Sequence, residues 1–479
     1  MKLGYTYLPR WVTDRAIYSY LAILLVTAFL FYSFTMRWYL ILFGVVEVFS
    51  FFYFSNVLTK EWSTEHLRNA TFEKQLFGTS LAIRLVYVLF SYWFYVTITG
   101  IPFEPNAADS YFYHKCALQG AQILRSRSIW SFWHDFKAFM CMDISDTGYA
   151  AYLSIVYFLT NDSILVGRFI KACLSALTVL FIYKLTVRNF GEHTGRMAGV
   201  LCMMMPNLIF YCGVHLKEVE MVFITVCFVN MADSMLRNRN FSAWNLVPIF
   251  LLGLALFTIR TALAIVTILA LLFSIVVASN AVINWAKKII IGVLAAVLIG
   301  LTIGNRIYEN SKQMIEIVQN DGLKKGMEYR AKRDNGNKFA EYAGAAVFAP
   351  LIFTLPFPTM VNIPEQENQQ FINGGNYVKN ILSAFIILAI LSLLLSGEWR
   401  RCAMPLAFML GYLMVLVFSN YAHSERFHQP VLPFELMFVA YAIPLLGKKH
   451  KRWYNYWLVI MFVAAIAWQW FKLAGRNMV

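Results

Sequence analysis

Five short stretches carry side chains that an apolar helix has no use for. The first, ADSYFYHKCA (residues 108–117), sets Asp109, Ser110, Tyr111, Tyr113 and His114 just beyond an apolar run. CMDISDTGY (141–149) adds Asp143 and Asp146, and GVHLKE (213–218) ends on Lys217 and Glu218. LALFTIRTALA (254–264) holds Arg260, and SERFHQP (424–430) packs Glu425, Arg426 and His428 beside His423. A His/Glu cluster of this kind could hold a divalent ion together with His114, although its spacing is not that of a recognised zinc motif. Each residue also has an ordinary role open to it. Asp109 and Asp146 can cap helices, Arg260 can snorkel from a helix end, Lys217 and Glu218 can be an exposed pair at a turn, and the tyrosines can anchor at a membrane interface.

The elements that must position these residues are membrane helices. Of 479 residues, 59% are hydrophobic and only 14% charged, whereas soluble chains are usually nearer a quarter charged. Apolar runs recur from end to end, each long enough as a helix to cross a hydrocarbon core of about 30 Å. The expected spans are 17–34, 37–56, 81–99, 163–187, 195–213, 218–236, 244–259, 262–281, 288–305, 378–396, 402–420, 429–446 and 454–472. The fold class expected is therefore an all-α polytopic membrane protein with about 13 transmembrane helices. The first apolar run lacks a small-residue cleavage site, so it reads as a retained helix.

The short basic connectors VRNFGEHTGR, LRNRN, NWAKK, GEWRR and GKKHKRWYN belong on the cytoplasmic side, with the N-terminus inside. That distribution accounts for the net charge of +15 as membrane topology, so nucleic acid is not expected as a partner. Two long segments, 100–162 and 306–377, then face outward. Each contains a semi-apolar piece, GYAAYLSIVYFL (148–159) and GAAVFAPLIFTLPFP (344–358), too short or too broken by proline to span, and suited to lying along the surface. Residues 110–124 have the spacing of a third such amphipathic helix. Cysteines are scattered singly; Cys116 and Cys141 share the first outer loop and could pair.

In order and spacing these motifs resemble the membrane-embedded GT-C glycosyltransferases, in particular the branch similar to protein mannosyltransferases (family 39) and aminoarabinose transferases. The resemblance rests on the acidic motif at 108–117 and on GYAAYLSIVYFLTNDSILVGRFIKA with the IYKL…FG exit and Pro206. GVHLKE, LALFTIRTALA and SERFHQPVLPF complete it. It covers residues 80–446, taken as a GT-C-like core with exterior loops 100–162 and 306–377. Residues 1–79 then form an added N-terminal hairpin and linker, and 447–479 a basic loop and last helix.

The resemblance implies a polyprenyl-phosphate-linked sugar donor of the undecaprenyl phosphate type, and inverting transfer to a lipid, glycan or protein acceptor on the exterior face. The bacterial inner membrane is the expected location. Such chemistry needs one positioned carboxylate base, assigned to Asp109, with Glu218 and Asp146 as further catalytic carboxylates. Its phosphate leaving group needs cations and not a second carboxylic acid. Lys217, Arg260 and Arg426 are the cations expected, with Tyr113, His114, Glu425 and His428 contacting substrate. Two other classes share the multi-spanning pattern: an O-antigen-type polymerase or ligase, which would depend on Arg330, Arg333 and the 306–377 loop, and a lipid or glycan transporter.

Overall fold

A computed structural model describes residues 5–62, 69–126, 132, 144–277, 351–417, 422–476 and 478. Among these the regular secondary structure is helix alone, with one isolated bridge between Thr35 and Val361. The helices in chain order are α1 (Arg10–Leu30), α2 (Trp38–Trp62), α3 (Asn69–Thr99), α4 (Ala108–Ser126), α5 (Ile144–Thr160), α6 (Ile164–Phe190), α7 (Glu192–Met204), α8 (Pro206–Phe210) and α9 (Glu218–Asn238). They continue with α10 (Ala243–Ile259), α11 (Thr261–Val277), α12 (Glu367–Gln370), α13 (Asn373–Ser396), α14 (Ala403–Val417), α15 (Glu425–His428), α16 (Leu432–Ala442) and α17 (Lys448–Ala474).

Among the described residues eight helical runs are long and apolar enough to cross a membrane: α1, α2, α3, α6, α9, α13, Glu398–Val417 and α17. α10, α11 and Leu432–Leu445 are apolar but shorter. The expectation of about 13 crossings is therefore not matched by this measure, and the expected span 288–305 lies outside the described residues, as does Cys141.

One difference has a clear cause. The run expected to span 195–213 breaks after Met204, because Pro206 has no N–H to give the carbonyl of Cys202 four residues back. In hydrocarbon such a carbonyl must find a partner inside the protein. Arg84, fully buried in the middle of α3, supplies it: its guanidinium reaches the carbonyls of Cys202 (3.4 Å) and Met203 (3.3 Å), and also Ser80 Oγ and Ser175 Oγ, both at 2.7 Å. Leu76, Ser80, Arg84, Val88, Ser91 and Tyr95, three or four residues apart, form the buried face of α3. That face packs on α6.

Of the three segments expected to lie along the surface, 110–124 and 148–159 form the helices α4 and α5, which pack on each other, while 344–350 lies outside the described residues and 351–358 forms no α-helix. α5 in turn seats on α10. Gly148 makes that approach possible, since a Cβ there would sit 2.3 Å from Thr258 Oγ1 and 2.8 Å from the Thr258 carbonyl. The chain termini, read from sequence as separate additions, come together: Tyr377 on α13 and Tyr454 on α17 both donate to α1, at Ala16 O (2.7 Å) and Val12 O (3.2 Å), and Trp11 meets Tyr454 edge-on.

Replacing Arg84 by Leu leaves the Cys202 and Met203 carbonyls without their buried donor, a loss of about 1–3 kcal/mol for each unsatisfied group. The expected outcome is a lowered thermal unfolding midpoint in detergent for Arg84→Leu, with Arg84→Lys intermediate.

Candidate functional site

At the end of the bundle that the charge pattern places outside, a cavity of about 320 Å³ is lined by Glu104, Asp109, Tyr211, Asn368, Glu425 and Arg426, among others. Asp109 is the second residue of α4 and not its cap. Its carboxylate accepts from Arg426 Nη1 at 2.5 Å, and Arg426 Nε donates to Glu218 at 2.8 Å. One guanidinium thus joins α4, the start of α9 and the short turn α15. The three differ in exposure: the Asp109 side chain is 60% exposed, that of Arg426 25% and that of Glu218 1%. Burial works against the Arg426 charge, but Glu218, Tyr211 and Asp109 outweigh it and raise its pKa well above the usual value. The guanidinium stays charged at any working pH.

Two further carboxylates face the same space. Glu425 accepts from the Tyr211 hydroxyl at 3.3 Å, and burial pushes its pKa up. Glu104, which sequence reading passed over, accepts from Ser110 Oγ at 2.5 Å through one oxygen, while the other oxygen is buried without a hydrogen-bond partner. Burial raises its pKa too, against the opposing pull of Ser110, Arg168 and Arg426. The signal for Glu104 was available only as an acid between two prolines ahead of α4. Nothing in FEPNAADS says that it turns back onto Ser110.

The remaining expected site residues divide into three groups. Lys217 pairs with Asp146 and also donates to the Ile259 carbonyl at 2.8 Å, meeting the C-terminal end of α10 where that helix stops. Tyr113 donates to the same Asp146 oxygen at 2.8 Å, so this trio lies beside the Arg426 cluster, joined to it by the sequence neighbours Lys217 and Glu218. Arg260, extended between α10 and α11, stacks over the Phe427 ring at 4.0 Å, next to Arg426 in sequence.

His114 and His428 face elsewhere. His114 Nδ1 pairs with the Tyr157 hydroxyl at 2.7 Å, and that hydroxyl pairs with His215 Nε2 at 3.1 Å. His428 points into the core, its Nδ1 accepting from Lys379 at 2.7 Å and its Nε2 donating to the Ala422 carbonyl at 2.7 Å. With both ring nitrogens engaged inside the fold, His428 holds the loop that carries Arg426. Among the described residues no group of three or more His, Cys, Asp or Glu is placed to hold a metal ion.

No protein-family model matches the chain, and no curated protein matches its sequence. Solved structures are similar in overall shape. The apo oligosaccharyltransferase of Archaeoglobus fulgidus superposes with a TM-score of 0.47 at 13% identity, over 85% of this chain and 55% of that one. The oligosaccharyltransferase AglB of the same organism, in complex with an inhibitory peptide and a dolichol-phosphate, gives 0.47 at 14% identity, over 85% and 56%. This chain spans little more than half the length of either.

Beneath α4, His215 is held neutral. Burial, Lys171, Arg168 and His114 together lower its pKa well below the ordinary value. Above about pH 6.5, the usual histidine value, folded and unfolded chains both carry it uncharged. As pH falls below that point the unfolded chain takes up a proton that the buried ring refuses, and stability drops by up to about 1.4 kcal/mol per pH unit for this residue. Thermal unfolding midpoints measured from pH 7 to 5 are expected to fall less steeply for His215→Phe than for the wild type.

Proposed function

We propose that this protein is a membrane glycosyltransferase of the GT-C type. In this reading it moves a sugar from a polyprenyl-phosphate-linked donor to a lipid, glycan or protein acceptor at the exterior face of a bacterial inner membrane. The observation that carries the reading is the single charged guanidinium of Arg426 held between Asp109 and Glu218 at the wall of a polar cavity. A cavity of about 320 Å³ falls in the range of sites for small ligands, about 300–1,000 Å³.

The chemistry follows from these groups. An acceptor hydroxyl or amine attacks the anomeric carbon, the bond from that carbon to the phosphate oxygen breaks, and the electron pair leaves with the phosphate. The acceptor proton passes to Asp109, the most exposed carboxylate of the cluster. Arg426 neutralises the phosphate, with Arg260 close by over Phe427. Glu218, buried on the far side of the guanidinium, keeps Arg426 in place when Asp109 is released to act as base. Asp146 is tied to Lys217 and Tyr113 and serves in positioning the start of α5. A single base with displacement by direct attack inverts the anomeric centre.

Labelled sugar transfer from a panel of undecaprenyl-phosphate sugars tests this. Asp109→Asn is expected to lower transfer by about 10²–10⁴-fold, the usual range for loss of a general base, while its thermal stability stays close to wild type because the side chain is largely exposed. Arg426→Lys, which cannot span both carboxylates, is expected to lose transfer as well. Full activity in Asp109→Asn would remove the base assignment.

A further inference from the structure

A second cavity, about 540 Å³ and almost wholly apolar, lies between α2 and α3. Its walls include Leu42, Val46 and Leu58 on α2 and Ile83 and Phe90 on α3. From Leu42 to Leu58 it follows roughly 24 Å of helix, most of the depth of a hydrocarbon core. The two helices are neighbours in sequence, yet α2 packs chiefly on α1, α7 and α13. Rings close the gap between α2 and α3 at its ends, Phe43 against Phe94 (5.2 Å) near the outer end and Trp62 against Phe72 (5.8 Å) near the inner end. Leu42, Val46 and Phe90 are exposed, so the groove opens to the bilayer along its side. Its one carboxylate, Glu47, is turned onto the backbone N–H of Gly375 at 3.0 Å.

This groove and the polar cavity share a wall. Phe210 lines both. The loop that follows presses directly on α3, where a Cβ at Gly213 would sit 2.8 Å from the Tyr87 ring of the groove, and its neighbour Val214 lines the polar cavity. The two cavities thus lie on either side of Phe210, which sets an apolar groove next to a site for a charged head at Arg426. A phosphate head suits the guanidinium, and a single long hydrocarbon chain suits a narrow groove of this depth.

We propose that the groove between α2 and α3 is the binding site for the isoprenoid chain of the phosphate-linked donor, and that α2, from the added N-terminal hairpin, is there to complete it. The proposal rests on the reading of the polar cavity as the donor phosphate site. Burial of apolar chain in the groove contributes affinity without touching the reacting atoms, so its signature is a dependence on chain length.

The test uses the full-length protein in nanodiscs, with binding of undecaprenyl phosphate and of geranyl phosphate measured for the wild type, Val46→Trp, Ile83→Trp and Arg426→Gln. The wild type is expected to prefer the longer chain. Each tryptophan, filling the groove, is expected to weaken undecaprenyl phosphate at least about tenfold, the loss that follows when roughly two methylenes leave an apolar surface. Geranyl phosphate binding should stay unchanged in both, which also shows that the variants are folded. Retention of the long-chain preference in both tryptophan variants would overturn the proposal, as would equal displacement of undecaprenyl phosphate by dioleoyl phosphatidic acid, the mark of a groove for ordinary lipid. If geranyl phosphate binds through Arg426 but the longer chain gains nothing, the groove fails and the phosphate site stands. If the wild type binds neither phosphate, the phosphate site fails and the groove with it.

Discussion

A carbonyl freed inside hydrocarbon has no water to turn to, and in this protein that constraint is met by buried cations. Pro206 frees the Cys202 carbonyl within the bundle, and Arg84 answers it from α3. The same solution recurs under each loop of the site. Lys171 on α6 donates to the carbonyls of Val214 and Leu216 and lies 3.7 Å from Glu220, which fixes the loop leading to Lys217 and Glu218. Lys379 on α13, 3.5 Å from Glu435, donates to His428, and His428 holds the Ala422 carbonyl at the start of the turn that presents Glu425 and Arg426. Charges this deep would be costly alone. Here each is engaged by carbonyls or a carboxylate, and irregular backbone is tolerated because protein, not lipid, surrounds it.

The site is built on those held loops. Breaking α7 at Pro206 turns the chain through α8 and into the 211–217 loop, which carries Tyr211 into the cavity and delivers Glu218 at the first turn of α9. Arg426 arrives from more than two hundred positions later, and Asp109 from α4, which packs on α5. A guanidinium can donate to two carboxylates in fixed directions at once, so Arg426 sets the distance between α4 and α9. The exposure gradient from Glu218 to Asp109 gives the two acids different duties, one as an anchor and one open to the cavity.

The chain ends also gain meaning only in three dimensions. In sequence the first hairpin and the last helix are additions on either side of a core. In space α1 lies against α17 and α13, through Tyr377 and Tyr454, and α2 is thereby held against α7 and α13 with its other side facing α3. The cavity left between α2 and α3 follows from that anchoring, since α2 is committed to partners other than its neighbour in sequence.

Hydropathy was sufficient to read an all-helical membrane protein, and the amphipathic spacing of 110–124 and 148–159 was sufficient to read helices there, because burial in lipid imposes a strong one-dimensional pattern on composition. Asp109, Glu218, Glu425 and Arg426 were legible as residue types out of place in that pattern. What the pattern could not carry was direction. His428 looks like a site residue in SERFHQP and turns inward, Glu104 looks like loop and turns into the cavity, and a run that reads as one span is broken at Pro206. Hydropathy averages over a window and is blind to which face a side chain takes. Contacts between residues hundreds of positions apart, such as Arg426 with Asp109, are decided by packing, and packing exists only once the helices have been brought together.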